Sequence, residues 1–192
     1  MNKTKRKIFE TSMKLFAEKG YDATSIEEIT ATVGVAKGTL YYHFSSKEEI
    51  FNFLVEEGMK LLKNSIEIKT SKFDNSIDKL KAIMLIEIKV LAKYENLITI
   101  ILNQFWGTEA RNLSCQKYVL DYIETVESII NTGIKKGEIT NVNPHTLAST
   151  IFSLTYSILV YKIQTGKPID VQELYSEYQN IIVNGLLNAG NN

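Results

Sequence analysis

The sequence predicts an all-α fold. Three observations carry that prediction. Apolar residues recur three and four apart along nearly every segment, and no stretch alternates with the period of two that a strand requires. The 192 residues also include only 2 Pro and 10 Gly, too few for a many-turned β architecture.

The elements follow in order. Residues 5–19 place Ile8, Phe9, Met13 and Phe16 on one face, and Gly20 follows as a stop. Thr24-Ser25-Ile26-Glu27 reads as a capping box opening a short helix with Ile26, Ile29 and Val33 inward, and Gly34 breaks it. A third short helix spans about 37–44 with Leu40 and Phe44 four apart. Ser46-Lys47-Glu48-Glu49 is a second capping box, starting a long helix to about 67 through Ile50, Leu54, Leu61 and Leu62. After the polar break Ser71–Asn75, helices are expected at about 76–94, 96–105 and 109–136, the last closed by Gly137. Asn143-Pro144 supplies a cap and a proline at the first helical position, opening a helix to about 164. Gly166-Lys167-Pro168 separates it from a final helix near 170–188. The count is nine helices, grouped as a three-helix head over 1–47, a connecting helix over 46–67, and a larger body within 48–192.

Composition bounds the function. Hydrophobic residues at 44% and charged residues at 23% suit a globular chain with a real core. Formal net charge is +0, but residues 1–47 carry 8 Lys and Arg against 5 Asp and Glu, and the remainder 14 against 17. The positive side of that asymmetry lies on the head. One cysteine, Cys115, leaves no intrachain disulfide and suits a reducing cytoplasm, where it reads as a buried thiol. The charged start MNKTKRKIFE lacks the apolar core of a signal peptide. Asn141–Tyr161 contains no Asp, Glu, Lys or Arg, yet Pro144, His145 and scattered Ser and Thr interrupt it, so a buried helix is expected and no membrane partner. His43 and His145 have no ligand-spaced partner, which predicts no metal and no cofactor.

The stretch Gly34–Glu49, GVAKGTLYYHFSSKEE, places Tyr41, Tyr42, His43 and Phe44 side by side. A core helix has no use for four adjacent rings. Two short helices joined by a glycine turn after a longer first helix form the helix-turn-helix pattern. In that frame Leu40 and Phe44 pack inward, and Lys37, Thr39, Tyr41, Tyr42 and His43 spread over the other faces. Lys37 can donate to guanine or phosphate, Gly38 permits close backbone approach, and the Thr39 methyl can touch a thymine methyl. Tyr and His donors suit phosphates. Lys47 in the first turn of a helix opposes the macrodipole, which makes sense if a phosphate docks there.

The run TSIEEITATVGVAKGTLYYHFSSKEEI closely resembles the helix-turn-helix of the tetracycline-repressor (TetR) family of bacterial transcriptional regulators. Matching positions include Thr24, Ser25, Ile26, Ile29, Gly34, Val35, Gly38, Leu40, Tyr41, His43, Phe44, Ser46 and Lys47. IFETSMKLFAEKGYDATS resembles the family's first helix. Thr30 and Val33 stand where alanine is usual. Ala36 stands where serine usually caps the recognition helix. The resemblance implies phosphate contacts from Thr24 and Ser25, base contacts from Lys37, Gly38 and Thr39, and phosphate or thymine-methyl contacts from Tyr41, Tyr42 and His43. Lys47 would hold a further phosphate. It also implies a repressor released from a near-palindromic operator in double-stranded DNA by a small-molecule effector. The alternative is an effector-independent or protein-controlled DNA-binding protein of the same fold. An enzyme would need an acid–base or nucleophile constellation, and none is apparent.

The body reads as needing a partner. Residues 147–163 carry apolar side chains on two faces: Leu147, Ile151, Leu154, Ile158 and Tyr161 on one, Phe152, Tyr156, Leu159 and Ile163 on the other. The last helix shows a wide stripe through Val171, Leu174, Tyr178, Ile181, Ile182 and Leu186. Two such helices cover each other on one side only, so a homodimer is expected, with Ile151, Ile158, Leu174, Tyr178, Ile181 and Ile182 at its interface. By resemblance the body also binds an effector. Phe105, Trp106, Tyr122 and Phe152 are its candidate lining, and they favour a small apolar or aromatic ligand.

Overall fold

The computed structural model describes residues 2–184, and of Thr155 only the backbone. Among them are nine α-helices: α1 Lys3–Lys19, α2 Ile26–Val33, α3 Lys37–His43, α4 Lys47–Thr70, α5 Ser76–Lys93, α6 Glu95–Phe105, α7 Ala110–Lys135, α8 Pro144–Thr165 and α9 Val171–Tyr178. A π-helical turn, Gln179–Val183, follows α9. The described residues hold no strand. The all-α expectation and its helix order hold; Leu186 lies outside the described residues.

The chain divides into two compact units: residues up to Lys60 with Tyr94–Tyr118, and Leu61–Lys93 with Val119 onward. In the first unit, Ile8, Leu15 and Phe16 of α1 meet Ile29 and Val33 of α2, Leu40 of α3, and Ile50, Phe51 and Leu54 of α4 in one buried core. Helix α6 joins this unit by packing on α1. Gly58 of α4 makes room for Leu97 of α6, since a Cβ there would collide with that side chain. Such close approach is a packing reason for glycine inside a helix, where it otherwise costs about 1 kcal/mol relative to alanine.

The second unit is built on α5, whose Leu80, Ile83, Met84, Ile88 and Leu91 are buried, with Val126 and Ile130 of α7 and Ile151 and Ile158 of α8. Glu138 caps α5 from 62 residues away: its Oε2 accepts from the Ser76 backbone N–H at 2.7 Å. That bond holds its carboxyl below the usual range.

Helix α8 is long and apolar enough to cross a membrane by length and composition, and only 24% of its apolar window is buried within the chain. The expectation of a buried helix therefore holds along one stripe only. Its inward stripe is Ile151 and Ile158, while Tyr156, Val160, Tyr161 and Ile163 are exposed. Of the six expected interface residues, Ile151, Ile158, Leu174 and Ile182 are covered by their own chain, Tyr178 is half-buried, and Ile181 is exposed. Helical period identified two apolar stripes on α8 but carries no information on which one the intramolecular core takes.

Candidate nucleic-acid interface

The site begins with the turn between α2 and α3. Gly34 takes the left-handed conformation at φ 78°, ψ 40°, which only glycine adopts without strain. Its N–H and that of Val35 both reach the Thr30 carbonyl, at 2.9 and 3.1 Å, closing α2 so that α3 can start two residues later. Ala36 sits at the N-cap of α3 and offers no side-chain acceptor, as its methyl dictates. The helix is anchored instead from its apolar side, where Leu40 is 0% and Phe44 1% exposed. Burying those two turns the remaining rings outward. Tyr42 is 85% and Tyr41 44% exposed, and the half-buried His43 packs edge-on to Tyr42 at 5.0 Å. Lys37 and Gly38 are exposed at the N-terminal end of the helix and Thr39 is half-buried.

Two of the residues expected at phosphates, Thr24 and Lys47, make intramolecular hydrogen bonds in the free chain. Thr24 is buried, and its hydroxyl donates to the carbonyls of Gly20 at 2.8 Å and Leu15 at 3.3 Å. The capping box expected to begin at Thr24 starts one residue later: Ser25 is the N-cap of α2, and its Oγ accepts from the Glu28 N–H at 3.1 Å. Ser25 is exposed and keeps its hydroxyl proton available for a phosphate.

Lys47, expected to hold a phosphate, is engaged by the loop before α2 in the free chain. Its ammonium donates to the backbone carbonyls of Tyr21 at 2.9 Å, Asp22 at 3.5 Å and Thr24 at 2.8 Å. It also lies over the Tyr21 ring, 4.3 Å from the centroid. The loop between α1 and α2 leaves carbonyls that need donors, and a lysine with three N–H groups meets that need.

Lys37 is tethered as well, though at the surface. Its Nζ lies 2.5 Å from Glu27 Oε1, which raises the lysine pKa and lowers that of the glutamate. Both side chains are exposed, so water and salt screen the pair. Exchange of this partner for phosphate or a base edge costs little.

A residue cluster that the sequence did not reveal lies beside the head. The Arg111 guanidinium of α7 lies over the Tyr21 ring at 4.6 Å and pairs with Asp22 at 3.2 Å. Tyr21 thus receives two cations, Lys47 and Arg111, at the corner where α1 passes to α2. Nothing local marks Arg111, which is 89 residues from Asp22.

The four candidate effector residues fall into two pairs. Phe105 and Trp106, in the first unit, meet edge-on at 5.0 Å, and Trp106 is 79% exposed. Tyr122 and Phe152, in the second unit, have ring centroids 5.9 Å apart. Tyr122 is buried and its hydroxyl donates to Glu87, a buried carboxyl on α5. Glu87 escaped the sequence reading although it is the lone acid within the apolar run Ala82–Leu91. Two grooves of the second unit, of 210 and 230 Å³, include none of the four candidates in their lining. Cys115 is buried, and burial pushes its thiol up to about 12, so the inert thiolate-free form prevails. Among the described residues no group of three or more His, Cys, Asp or Glu could hold a metal ion.

The N-terminal geometry has counterparts in known proteins. The family model for bacterial regulatory proteins, tetR family, matches residues 8–54. A solved structure from Clostridium perfringens, of a protein named for regulating fatty acid metabolism, aligns with 92% of this chain and 96% of its own at TM-score 0.87 and 32% identity. The chain belongs to the TetR family. Its helix-turn-helix is the family's DNA-binding domain, and the remaining helices complete the family's fold. Among curated relatives, the biofilm operon negative transcriptional regulator IcaR of Staphylococcus aureus strain Newman is 41% identical over 76 residues, 40% of this chain. That match spans 41% of the length of IcaR. AibR, solved in complex with isovaleryl coenzyme A and operator DNA, shares the TetR fold at TM-score 0.77 and 21% identity, over 93% of this chain and 97% of its own.

Proposed function

We propose that this TetR-family chain is a sequence-specific DNA-binding transcriptional regulator. In this reading it is a homodimeric repressor that leaves a near-palindromic operator when a small molecule binds its body. The observation that carries the reading is the outward face of α3. A seven-residue helix fastened by Leu40 and Phe44 presents Lys37, Gly38, Tyr41 and Tyr42 to solvent. A chain gains nothing in stability from exposing two tyrosines side by side, whereas a helix entering the major groove needs donors of that reach.

Lys37, Gly38 and Thr39 are assigned to base edges, and Ser25, Tyr41, Tyr42 and His43 to phosphates or thymine methyls. Thr24 and Lys47 support these residues from behind. The partner for the body is a second copy of the chain, docked through the exposed stripe Tyr156, Val160 and Ile163 of α8 with Ile181. IcaR, by its name a negative regulator, supports repression as the output. An effector acts only by preferring the DNA-incompetent arrangement, and a coupling of about 1–3 kcal/mol changes operator affinity roughly five- to 150-fold. The functional division stays a proposal, a head over 1–47 and an effector and dimer body over 48–192, whereas the compact units group residues up to Lys60 and Tyr94–Tyr118 with the head. The non-enzymatic and cytoplasmic assignments rest on the same family reading.

The test is the stoichiometry of a selected duplex by analytical ultracentrifugation. Two chains per symmetric duplex are expected, with a half-site duplex bound more weakly. One chain per full site would contradict the dimeric reading.

A further inference from the structure

Helix α5 places Leu80, Met84, Glu87 and Leu91 four, three and four apart, so Glu87 occupies a core position flanked on its own stripe by fully buried apolar residues. Its side chain is buried, with 6% exposure. One carboxyl oxygen, Oε1, takes the hydrogen of the Tyr122 hydroxyl. The other, Oε2, is buried and has no hydrogen-bond partner among the described residues. Each buried unpaired polar atom carries a desolvation cost, which is larger for a carboxyl than for a hydroxyl or an amide. A leucine at this position would avoid that cost.

The surroundings specify what Oε2 is suited to meet. The Tyr122 ring neighbours that of Phe152 at 5.9 Å. Phe152 is half-buried, and Tyr156, one turn further along α8, is exposed. Aromatic side chains thus lead from the carboxyl toward the surface of α8. A carboxylate neutralises an organic cation, and aromatic rings attract one through their faces.

We propose that Glu87, with Tyr122 and Phe152, is the recognition group for the ammonium of a flat, otherwise apolar effector. This rests on the effector-controlled reading above and assigns a chemical class to the ligand. Burial raises the Glu87 carboxyl to about 8 against the opposing Tyr122 hydrogen bond. An ammonium beside Oε2 supplies the counter-charge that burial withholds. Of the four aromatic residues considered as effector lining, the inference retains Tyr122 and Phe152 and leaves Phe105 and Trp106 aside.

The experiment compares 1-naphthylmethylammonium with 1-naphthalenemethanol, which share ring and reach but differ in charge. Each is titrated calorimetrically, without DNA, into the full chain, E87Q and Y122F. The wild type is expected to bind the ammonium at least about tenfold more tightly than the alcohol. E87Q should bind both alike, and Y122F, which keeps the carboxyl, should retain the preference even if E87Q folds poorly. Equal binding of the two compounds by wild type, binding of neither, or a preference that survives in E87Q overturns the proposal. Duplex binding by the same preparations separates this outcome from the parent reading. A chain that binds selected DNA yet shows no cation preference refutes the ligand assignment alone, whereas a chain that selects no DNA refutes the regulator reading.

Discussion

The Lys37 ammonium of α3 lies 2.5 Å from the Glu27 carboxylate of α2, bridging the two helices across the turn that Gly34 closes. The lysine proposed to read DNA is therefore paired with an acid in the free chain. Glu27→Gln should release it and remove a negative charge near the incoming phosphates. Operator affinity at low salt should rise roughly two- to fivefold, the scale of an exposed ion pair. Lys37→Ala should instead relax the base preference at one position per half-site by about tenfold. Fluorescence anisotropy over a set of single-base operator variants checks both. An unchanged preference in Lys37→Ala would place the base contact elsewhere.

Lys47 should behave as a brace. Lys47→Met leaves the carbonyls of Tyr21 and Thr24 without their donor and should cost about 1.5–3 kcal/mol in urea unfolding, the range for hydrogen bonds with charged groups. The salt dependence of DNA binding should keep its slope, since no phosphate contact is lost. A slope reduced by about one would restore Lys47 to the phosphate contacts.

These two lysines show where sequence is informative. The helices and their order were legible because their signals are local: Gly34 at the turn, Asn143-Pro144 at the start of α8, and Leu40 and Phe44 four apart. The outward display of Tyr41 and Tyr42 followed from that same spacing. The partners of Lys47 were not legible, because its acceptors are backbone carbonyls 23 to 26 residues away. Arg111 over Tyr21 and Tyr122 on Glu87 are likewise tertiary contacts with no local signal. On α8 the two apolar stripes were legible, but their assignment to core and surface was not, since periodicity is blind to direction.

Glu87 should impose a pH dependence on stability. Its folded pKa is raised from 4.5 to about 8, so the unfolded chain releases this proton first as pH rises. The contribution of Glu87 therefore becomes more unfavourable between about 4.5 and about 8 and levels off above, on the order of a few kcal/mol. Glu87→Gln should flatten that decline in melting temperature. Parallel pH profiles for wild type and variant would contradict the raised value.

The two stripes of α8 should separate by experiment. Ile163→Asp, on the exposed stripe, should shift the chain toward monomer in sedimentation velocity with its helical content intact. Ile151→Ala, on the covered stripe, should destabilise by about 2–5 kcal/mol through a core cavity while leaving the dimer contact in place. A dimer unaffected by Ile163→Asp would move the interface off this stripe.

Helix α3 is proposed to read DNA from a two-fold pair of heads. The decisive measurement is selection of duplexes from a random pool, followed by sequencing. The predicted result is an enriched motif with two-fold symmetry and half-sites about one helical turn apart, roughly 34–36 Å between recognition helices. Enrichment of an asymmetric motif, or of no motif at all, would contradict it.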